Sequence, residues 1–482
     1  MMAKKEGFVK QITSRDVDFS KWYTDVCLKA ELCDYSSVKG CMVLRPTGTA
    51  LWERIREVVD GRLKKTGHEN VLMPMFLPES LLLKEAEHVE GFAPEVAWVT
   101  HGGDNELQER LAVRPTSEVL FCEHFKKIIH SYRDLPVLYN QWVSVVRWEK
   151  NTRPFLRTTE FFWQEGHTCH VDYEDADKEA RMILDMYVEV CRDILAIPVV
   201  SGVKSESEKF AGADKTYTNE TLMYDGKALQ ITTSHNLGDN FGKAFEITYS
   251  DKEGKEQYVN TTSWAITTRA IGGMIMVHSD DRGLVLPPRM APTQVMIIPI
   301  AQHKDGVLDV AFELRDKLSK DMTVKVDDSE KQPGWKFSDA EMKGYPIRLE
   351  IGPKDIEAGH IVAVRRDTLE KITLPLDDNL NTALSELLES IHNDMFKRAK
   401  DRQKEKTKMA QTKEEFAAMV EAGGFVIAPW DGTEAVEDLV KEETGATTRC
   451  LSFDYIDADL SGVKDLWTGK DAKYMMHWAK AY

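Results

Sequence analysis

At 482 residues the chain exceeds one ordinary domain and predicts two to four. Its 42% hydrophobic and 30% charged residues exclude a disordered chain, and no run approaches the ~18–20 apolar residues of a membrane span. Lys+Arg of 63 against Asp+Glu of 80 give a net charge of −17, so a nucleic acid has to meet local basic patches on an acidic body.

The first residues, MMAKKEGFVKQIT, are basic but lack an apolar stretch, which predicts a cytoplasmic protein without a secretory leader. The seven cysteines are odd in number, scattered and without CxxC spacing, as expected for reduced thiols. Leu51, Ile55, Val58 and Leu63 recur at helical spacing, so residues 47–66 are expected as a helix ending at Gly67. A short strand is expected over 71–75, with Pro74 at its end or edge. Residues 137–149 and 155–166 read as two long strands joined by the basic loop 150–154, hence an antiparallel pair. Ile183, Tyr187, Val190 and Ile194 mark an amphipathic helix over 178–197.

The prolines of LPPRMAPT, near 286–293, mark a change of domain. Beyond them a strand (295–300), a helix (305–320), a strand (323–326), a loop, two strands (346–351 and 361–366) and a helix (379–399) imply a small α/β domain. The charged run KRAKDRQKEKTKM leads into a last segment. Within it, 425–428 and 450–453 read as core strands and the closing MMHWAKAY as helix-like.

The strongest chemical signal is Val146-Arg147-Trp148-Glu149, then the basic loop, then Arg157-Thr158-Thr159-Glu160-Phe161. An arginine inside a sheet strand is costly unless it holds an anion, and its planar fork can grip a carboxylate and a phosphate together. Glu149 shares its face of the strand and can accept from an adenine amino group. Arg157 and Phe161, four apart on the partner strand, offer a cation for a terminal phosphate and a ring for a base. The plain alternative is a solvated, salt-bridged hairpin. Thr267-Thr268-Arg269-Ala270-Ile271-Gly272-Gly273 is a second arginine patch, whose glycines permit close backbone approach to a ligand. In Arg114-Pro115-Thr116-Ser117-Glu118, a hydroxyl and a carboxylate can bind an ammonium or imino group; equally, the run fits a helix N-cap. Gln230, Thr233, Ser234 and His235 form a polar run in which a lone histidine is more often structural. Neither a P-loop nor a strand-borne GxGxxG occurs, so ATP, if used, is held another way.

The pair Arg147-x-Glu149 and Arg157-x-x-x-Phe161 resembles motif 2 of class II aminoacyl-tRNA synthetases. The helix followed by the Pro74 segment resembles their motif 1, the dimer element, and Arg269 with its glycines resembles motif 3. RPTSE, FFWQEGHT, ITTSHNLGDNF and TTRAIGGMIMVHSDDRGLVLPP narrow the resemblance to the prolyl-tRNA synthetase family, of the type found in archaea and eukaryotes. PGWKFSDAEMKGYPIRLEIGPKDIEAG resembles that family's anticodon-binding domain.

The resemblance implies an α+β architecture: a class II catalytic domain on an antiparallel sheet (1–285), an α/β anticodon-binding domain (290–395) and a small α/β C-terminal domain (396–482). It implies ATP-driven activation of L-proline, transfer to tRNA(Pro), and a homodimer formed through the motif 1 region. Thr116, Glu118, Trp163, Glu165, His167 and His235 would line the proline pocket, and Arg147 would hold the proline carboxylate and the ATP α-phosphate. Glu149 and Phe161 would hold adenine, with Arg157 and Arg269 on the phosphates and the adenine face. Gln230, Thr233 and Thr267 would contact the nucleotide. Arg147 and Arg269 would be the catalytic charges, assisted by Mg²⁺. Glu341, Arg348, Lys354 and Asp355 would read the anticodon, and the terminal Tyr482 would tuck towards the active site.

The chain departs from the family twice. The interval from His167 to Gln230 is too short for the large editing insertion of bacterial-type relatives. Where many relatives hold zinc with four cysteines, this chain offers only Cys450, with Asp431 and Val436 nearby, so zinc is not expected. Two rivals differ in what they require. A sister enzyme charging threonine or glycine would call for zinc-ligating Cys or His in its amino-acid pocket if the amino acid were threonine. A silent tRNA-binding paralogue would lose Arg147, Arg269 or the adenine contacts.

Overall fold

One sheet of eleven strands forms the spine of the molecule in a computed structural model that describes residues 12–88 and 95–482. Its order is Thr407–Met409, Phe425–Trp430, Tyr474–Ala479, Thr447–Ser452, Val200–Val203, Lys215–Leu222, Ala228–Gly238, Asn260–Thr267, Glu160–His170, Val137–Val146 and Glu69–Asn70. Neighbours run antiparallel except at the two ends, where Thr407–Met409 and Glu69–Asn70 pair in parallel. The expected long pair is present as Val137–Val146 against Glu160–His170, in unbroken register from Val137↔Cys169 to Val146↔Glu160.

Helices cover one face of this sheet. Pro46–Lys65 starts with proline at its first turn, where the missing N–H costs nothing, and buries Leu51, Ile55, Val59 and Leu63. Tyr173–Asp193 begins five residues before the expected start because Asp172 accepts a hydrogen bond from Asp175 N and caps it. Arg269–His278 packs into the same core through Ile271, Met274 and Ile275. Burial of such side chains is worth about 1.5–3 kcal/mol each.

A second sheet of five strands runs in the order Val324–Val326, Val295–Pro299, Ile347–Ile351, His360–Arg365, Lys371–Pro375. The first three are mutually parallel and the rest antiparallel. Val307–Leu318 and Leu380–Glu405 pack on it through Ala311, Leu318, Leu384 and Ile391.

Three local expectations fail. Residues 71–74 form no strand: Val71 N still bonds Asn140 O, but Met73 N goes to the Gln141 side chain and Met73 O to Arg114. The segment expected as a loop after 326 contains a helix, Pro333–Lys343, with proline at its first turn and left-handed Gly344 at its C-cap. The closing helix-like stretch is the strand Tyr474–Ala479, buried along five of its six residues. The helix Leu380–Glu405 runs across residues 395 and 396, and the C-terminal strands join the long sheet directly through Leu451↔Val203.

Candidate active site

The open face of the long sheet carries a cavity of about 310 Å³. The strand Glu160–His170 supplies its floor by simple alternation: Phe161, Trp163, Glu165 and His167 all face it. Strand register then sets the rest. His235 lies opposite Ser263, which lies opposite His167, while Thr233 lies opposite Ala265, which lies opposite Glu165. Thr267 pairs with Trp163 at the next level. All fourteen catalytic-domain residues singled out from the sequence border this one cavity, including Thr116, Glu118, Glu149, Arg157 and Gln230.

The two arginines enter differently from what the sequence suggests. Arg147 sits just past the end of Val137–Val146, its backbone N still bonded to Thr159 O at 2.8 Å. Its Nε donates to Pro115 O at 3.0 Å, and its guanidinium lies 5.4 Å from the rings of both Phe161 and Trp163. Arg269 opens its helix and donates from Nε to Leu156 O at 3.3 Å. Burial lowers the pKa of both guanidiniums, partly offset at Arg147 by Glu118, Glu165 and Glu149. Neither arginine forms an ion pair among the described residues.

Arg157 is not on the partner strand. Residues 153–157 close a tight turn with Arg153 and Arg157 bonded to each other's backbone and Phe155 at φ 60°, so the strand starts only at Glu160. Arg157 Nε instead donates to Glu149 Oε2 at 2.7 Å across the turn, the salt-bridged hairpin of the plain alternative. Gly272 and Gly273 do not face the cavity either. A Cβ on Gly272 would lie 2.6 Å from Leu156 Cδ2, and one on Gly273 would lie 2.7 Å from Ile231 Cδ1, so these glycines let the helix seat closely on its neighbours.

At the far end of the cavity a buried polar network is complete. Ser117 stands at the N-cap of Glu118–Ile128 but makes no cap bond; its Oγ donates to Glu165 Oε1 at 2.6 Å. Gln141 Nε2 donates to the same oxygen at 2.6 Å, while Glu165 Oε2 meets His167 Nε2 at 2.9 Å. Thr116 Oγ1 bonds Glu118. His167 stacks on Phe121 at 4.2 Å. His235 meets Thr216 Oγ1 through Nδ1 at 2.9 Å, and burial, then the neighbouring His167, pulls its pKa down to about 3. It is therefore neutral at physiological pH. Two buried polar atoms in the cavity wall, Trp163 Nε1 and Ser263 Oγ, have no hydrogen-bond partner among the described residues.

Sequence reasoning missed Gln141, Phe210, Thr216 and Ser263. For Ser263 the signal was available, since it alternates with Ala265 and Thr267 along one strand face. Tyr482 packs against the catalytic sheet, with its N donating to Ala228 O at 3.1 Å and Arg153 4.9 Å from its ring. Among the described residues no group of three or more His, Cys, Asp or Glu is placed to hold a metal ion. Cys450 is buried, which pushes its thiol up to about 12, while Asp431 Oδ1 accepts from Thr433 N and Oγ1.

Outside the cavity, the anticodon candidates are largely engaged. Arg348 bonds Glu350 and Glu341, Glu341 also meets Arg282, and Asp355 caps its own short helix through Gly352 N. Lys354 is exposed.

Three family patterns match the chain in order. They are the tRNA synthetase class II core domain (G, H, P, S and T) over residues 98–278, an anticodon binding domain over 294–386, and the prolyl-tRNA synthetase C-terminal domain over 413–482. Proline–tRNA ligases of Clostridium botulinum (Loch Maree, type A3) and Ruminiclostridium cellulolyticum (H10) are each 59% identical over 482 residues, covering 100% of both chains. The crystal structure of prolyl-tRNA synthetase from Cryptosporidium parvum, complexed with halofuginone and AMPPNP, superposes with a TM-score of 0.95 at 40% identity. That match covers 98% of this chain and 100% of the other. With such identity held from the first residue to the last, the chain belongs to the prolyl-tRNA synthetases, the ligases that join proline to tRNA.

Proposed function

We propose that the cavity holds L-proline and ATP side by side, with Arg147 touching both. The observation that carries this reading is the convergence of all fourteen candidates on one cavity, with Arg147 beside Phe161 and Trp163 and in no ion pair among the described residues. Thr116, Glu118, Glu165, His167 and His235 receive the imino group and ring of proline at the polar end. Glu149 and Phe161 receive adenine, Arg157 and Arg269 the phosphates, and Gln230, Thr233 and Thr267 the rest of the nucleotide. In the ligase reaction, a proline carboxylate oxygen attacks the α-phosphorus of ATP and diphosphate leaves. The 3′-terminal ribose hydroxyl of tRNA then attacks the prolyl carbonyl and AMP leaves. The protein supplies no nucleophile; it aligns the partners and meets the developing charge with fixed guanidiniums.

Mg²⁺ fits this site as a companion of the nucleotide. A small cation that keeps several waters binds through phosphate oxygens and few carboxylates, and among the described residues no group of three or more His, Cys, Asp or Glu is placed to hold it without the nucleotide. For the C-terminal domain we favour folding without zinc. Chelator-washed protein should keep its activity and carry well under one zinc per chain by elemental analysis; stoichiometric zinc would refute this. The exposed Leu72, Met75 and Phe76 support a homodimer through the motif 1 region, and a monomer in sedimentation equilibrium would end that idea. The absence of a helix long and apolar enough to cross a membrane, among the described residues, agrees with a cytoplasmic site of action.

The central test is on Arg147. Arg147→Ala should lower proline-dependent ATP–diphosphate exchange at least ~10²-fold, because an oriented charge at the transition state is worth about 3–4 kcal/mol. Arg147→Lys should not restore it, since a point charge cannot fork between two anions. Near-native exchange in either variant would overturn the assignment.

A further inference from the structure

The C-terminal domain reaches the amino-acid end of the cavity through one loop. Residues 204–214 join the strands Val200–Val203 and Lys215–Leu222, and Glu208 and Phe210 of this loop border the cavity. The Phe210 ring lies 4.8 Å from that of His235, and Phe210 N donates to Thr216 Oγ1 at 2.9 Å. The other half of the loop faces away from the cavity and is held from the C-terminal domain. Ser205 Oγ and Ser207 Oγ donate to Glu437 Oε2 at 3.1 and 2.5 Å, and Thr448 Oγ1 donates to the same oxygen at 3.1 Å. Glu437 lies on the helix Glu434–Thr444.

The chemistry of this contact is unusual for a stabilising one. Nearby Glu220, also buried, is neutralised by Lys204 and by Arg449 of the C-terminal domain. Glu437 is buried and makes no ion pair among the described residues; three hydroxyls are its hydrogen-bond donors. A carboxylate placed this way is costly as a fastener, and an apolar contact would hold two domains together more cheaply. What it does supply is geometry: one oxygen gathers two alternate residues of the loop and fixes the turn that leads into Glu208 and Phe210. Sheet pairing at Leu451↔Val203 and Ser452↔Gly202 fixes the strand that enters the same loop.

We propose that Glu437 is a positioning residue for the amino-acid pocket, through which the C-terminal domain sets the wall formed by Glu208 and Phe210. The proposal rests on the reading of this end of the cavity as the proline site. In diphosphate exchange, Glu437→Ala should raise the KM for proline about 5–10-fold while leaving the KM for ATP unchanged. Glu437→Gln keeps an acceptor oxygen at the same place and should largely restore the native value. Ser205→Ala with Ser207→Ala removes the donors from the catalytic side and should reproduce the effect. Combined with Glu437→Ala it should add little, since both act on one contact. The serine pair also keeps the test open should Glu437→Ala not fold. A lowered melting temperature with an unchanged proline KM, or a KM for ATP that rises equally, would overturn the proposal and leave Glu437 a domain fastener. Phe210→Ala separates the two readings. If it leaves the proline KM untouched, the assignment of this wall to proline is wrong; if it raises the KM while the Glu437 and serine variants do not, the anchor is wrong.

Discussion

Two arginines of the cavity, Arg147 and Arg269, and those of the five-stranded domain live under opposite rules. Arg147 and Arg269 are half-buried and spend their Nε donors on backbone carbonyls, leaving their guanidiniums at the wall of a cavity. In the five-stranded domain Arg348 is bonded to Glu341 and Glu350, Arg365 to Asp367 and Asp394, and Arg366 to Asp280. A partly desolvated cation without a carboxylate partner is less favourable in the resting protein than when an anion arrives. A cation already forked onto carboxylates has no such capacity and holds structure together instead. Pairing therefore separates Arg147 and Arg269 from the arginines that hold the chain, while Arg157, which borders the same cavity, is already bonded to Glu149 at 2.7 Å and has to exchange that partner to meet an anion.

Four substitutions can break or sharpen this contrast. The Arg147→Ala variant that stops exchange should unfold within about 1 kcal/mol of the native protein in denaturant, because it removes one hydrogen bond and one half-buried, unpaired charge together. A large loss of stability would place Arg147 among the structural arginines. Arg366→Ala should behave inversely. It deletes two bonds of 2.6 and 2.8 Å to Asp280, whose pKa they hold down against a burial that alone would raise it, and a third to Glu341 O. Stability should fall by about 3 kcal/mol, while exchange per folded molecule stays close to native. Loss of exchange in the folded fraction would show that the cross-domain pair serves the site. The smallest effect belongs to Lys354, the anticodon candidate with an exposed side chain. Lys354→Ala should leave adenylate formation unchanged and reduce tRNA charging about 10-fold, the 1–3 kcal/mol of one base contact. Asp355→Ala should add a stability cost because that carboxylate also caps a helix. Unaltered charging in the Lys354 variant would remove this segment from anticodon reading.

Much of the site was readable because alternation along a strand is a one-dimensional rule. Phe161, Trp163, Glu165 and His167 are spaced by two, and nothing but strand geometry is needed to put them on one face. Arg157 escaped the rule because the turn at Phe155 consumes the backbone groups a strand would have used. The Pro333–Lys343 helix was hidden by its own Pro-Gly opening, which resembles a turn until the left-handed Gly344 at its far end is seen to close a helix. The last strand, Tyr474–Ala479, gave no alternating signal because it is buried along nearly its whole length, where a strand and a core helix read alike. Gln141 could not have been singled out. Its importance lies in joining Met73 N to Glu165, a contact between residues far apart in the chain.

The continuous sheet also decides what becomes of its edges. At one end lies a three-residue strand and at the other a two-residue strand, both too short to template another chain. Between them each strand has a neighbour from the same chain on both sides. Were the final strands removed, Val200–Val203 would turn from an interior rung into a raw border, its N–H and C=O groups facing solvent where Leu451 and Ser452 had been. Such a border invites pairing with a neighbouring molecule, so the C-terminal domain shields the catalytic sheet from self-association as well as shaping its pocket.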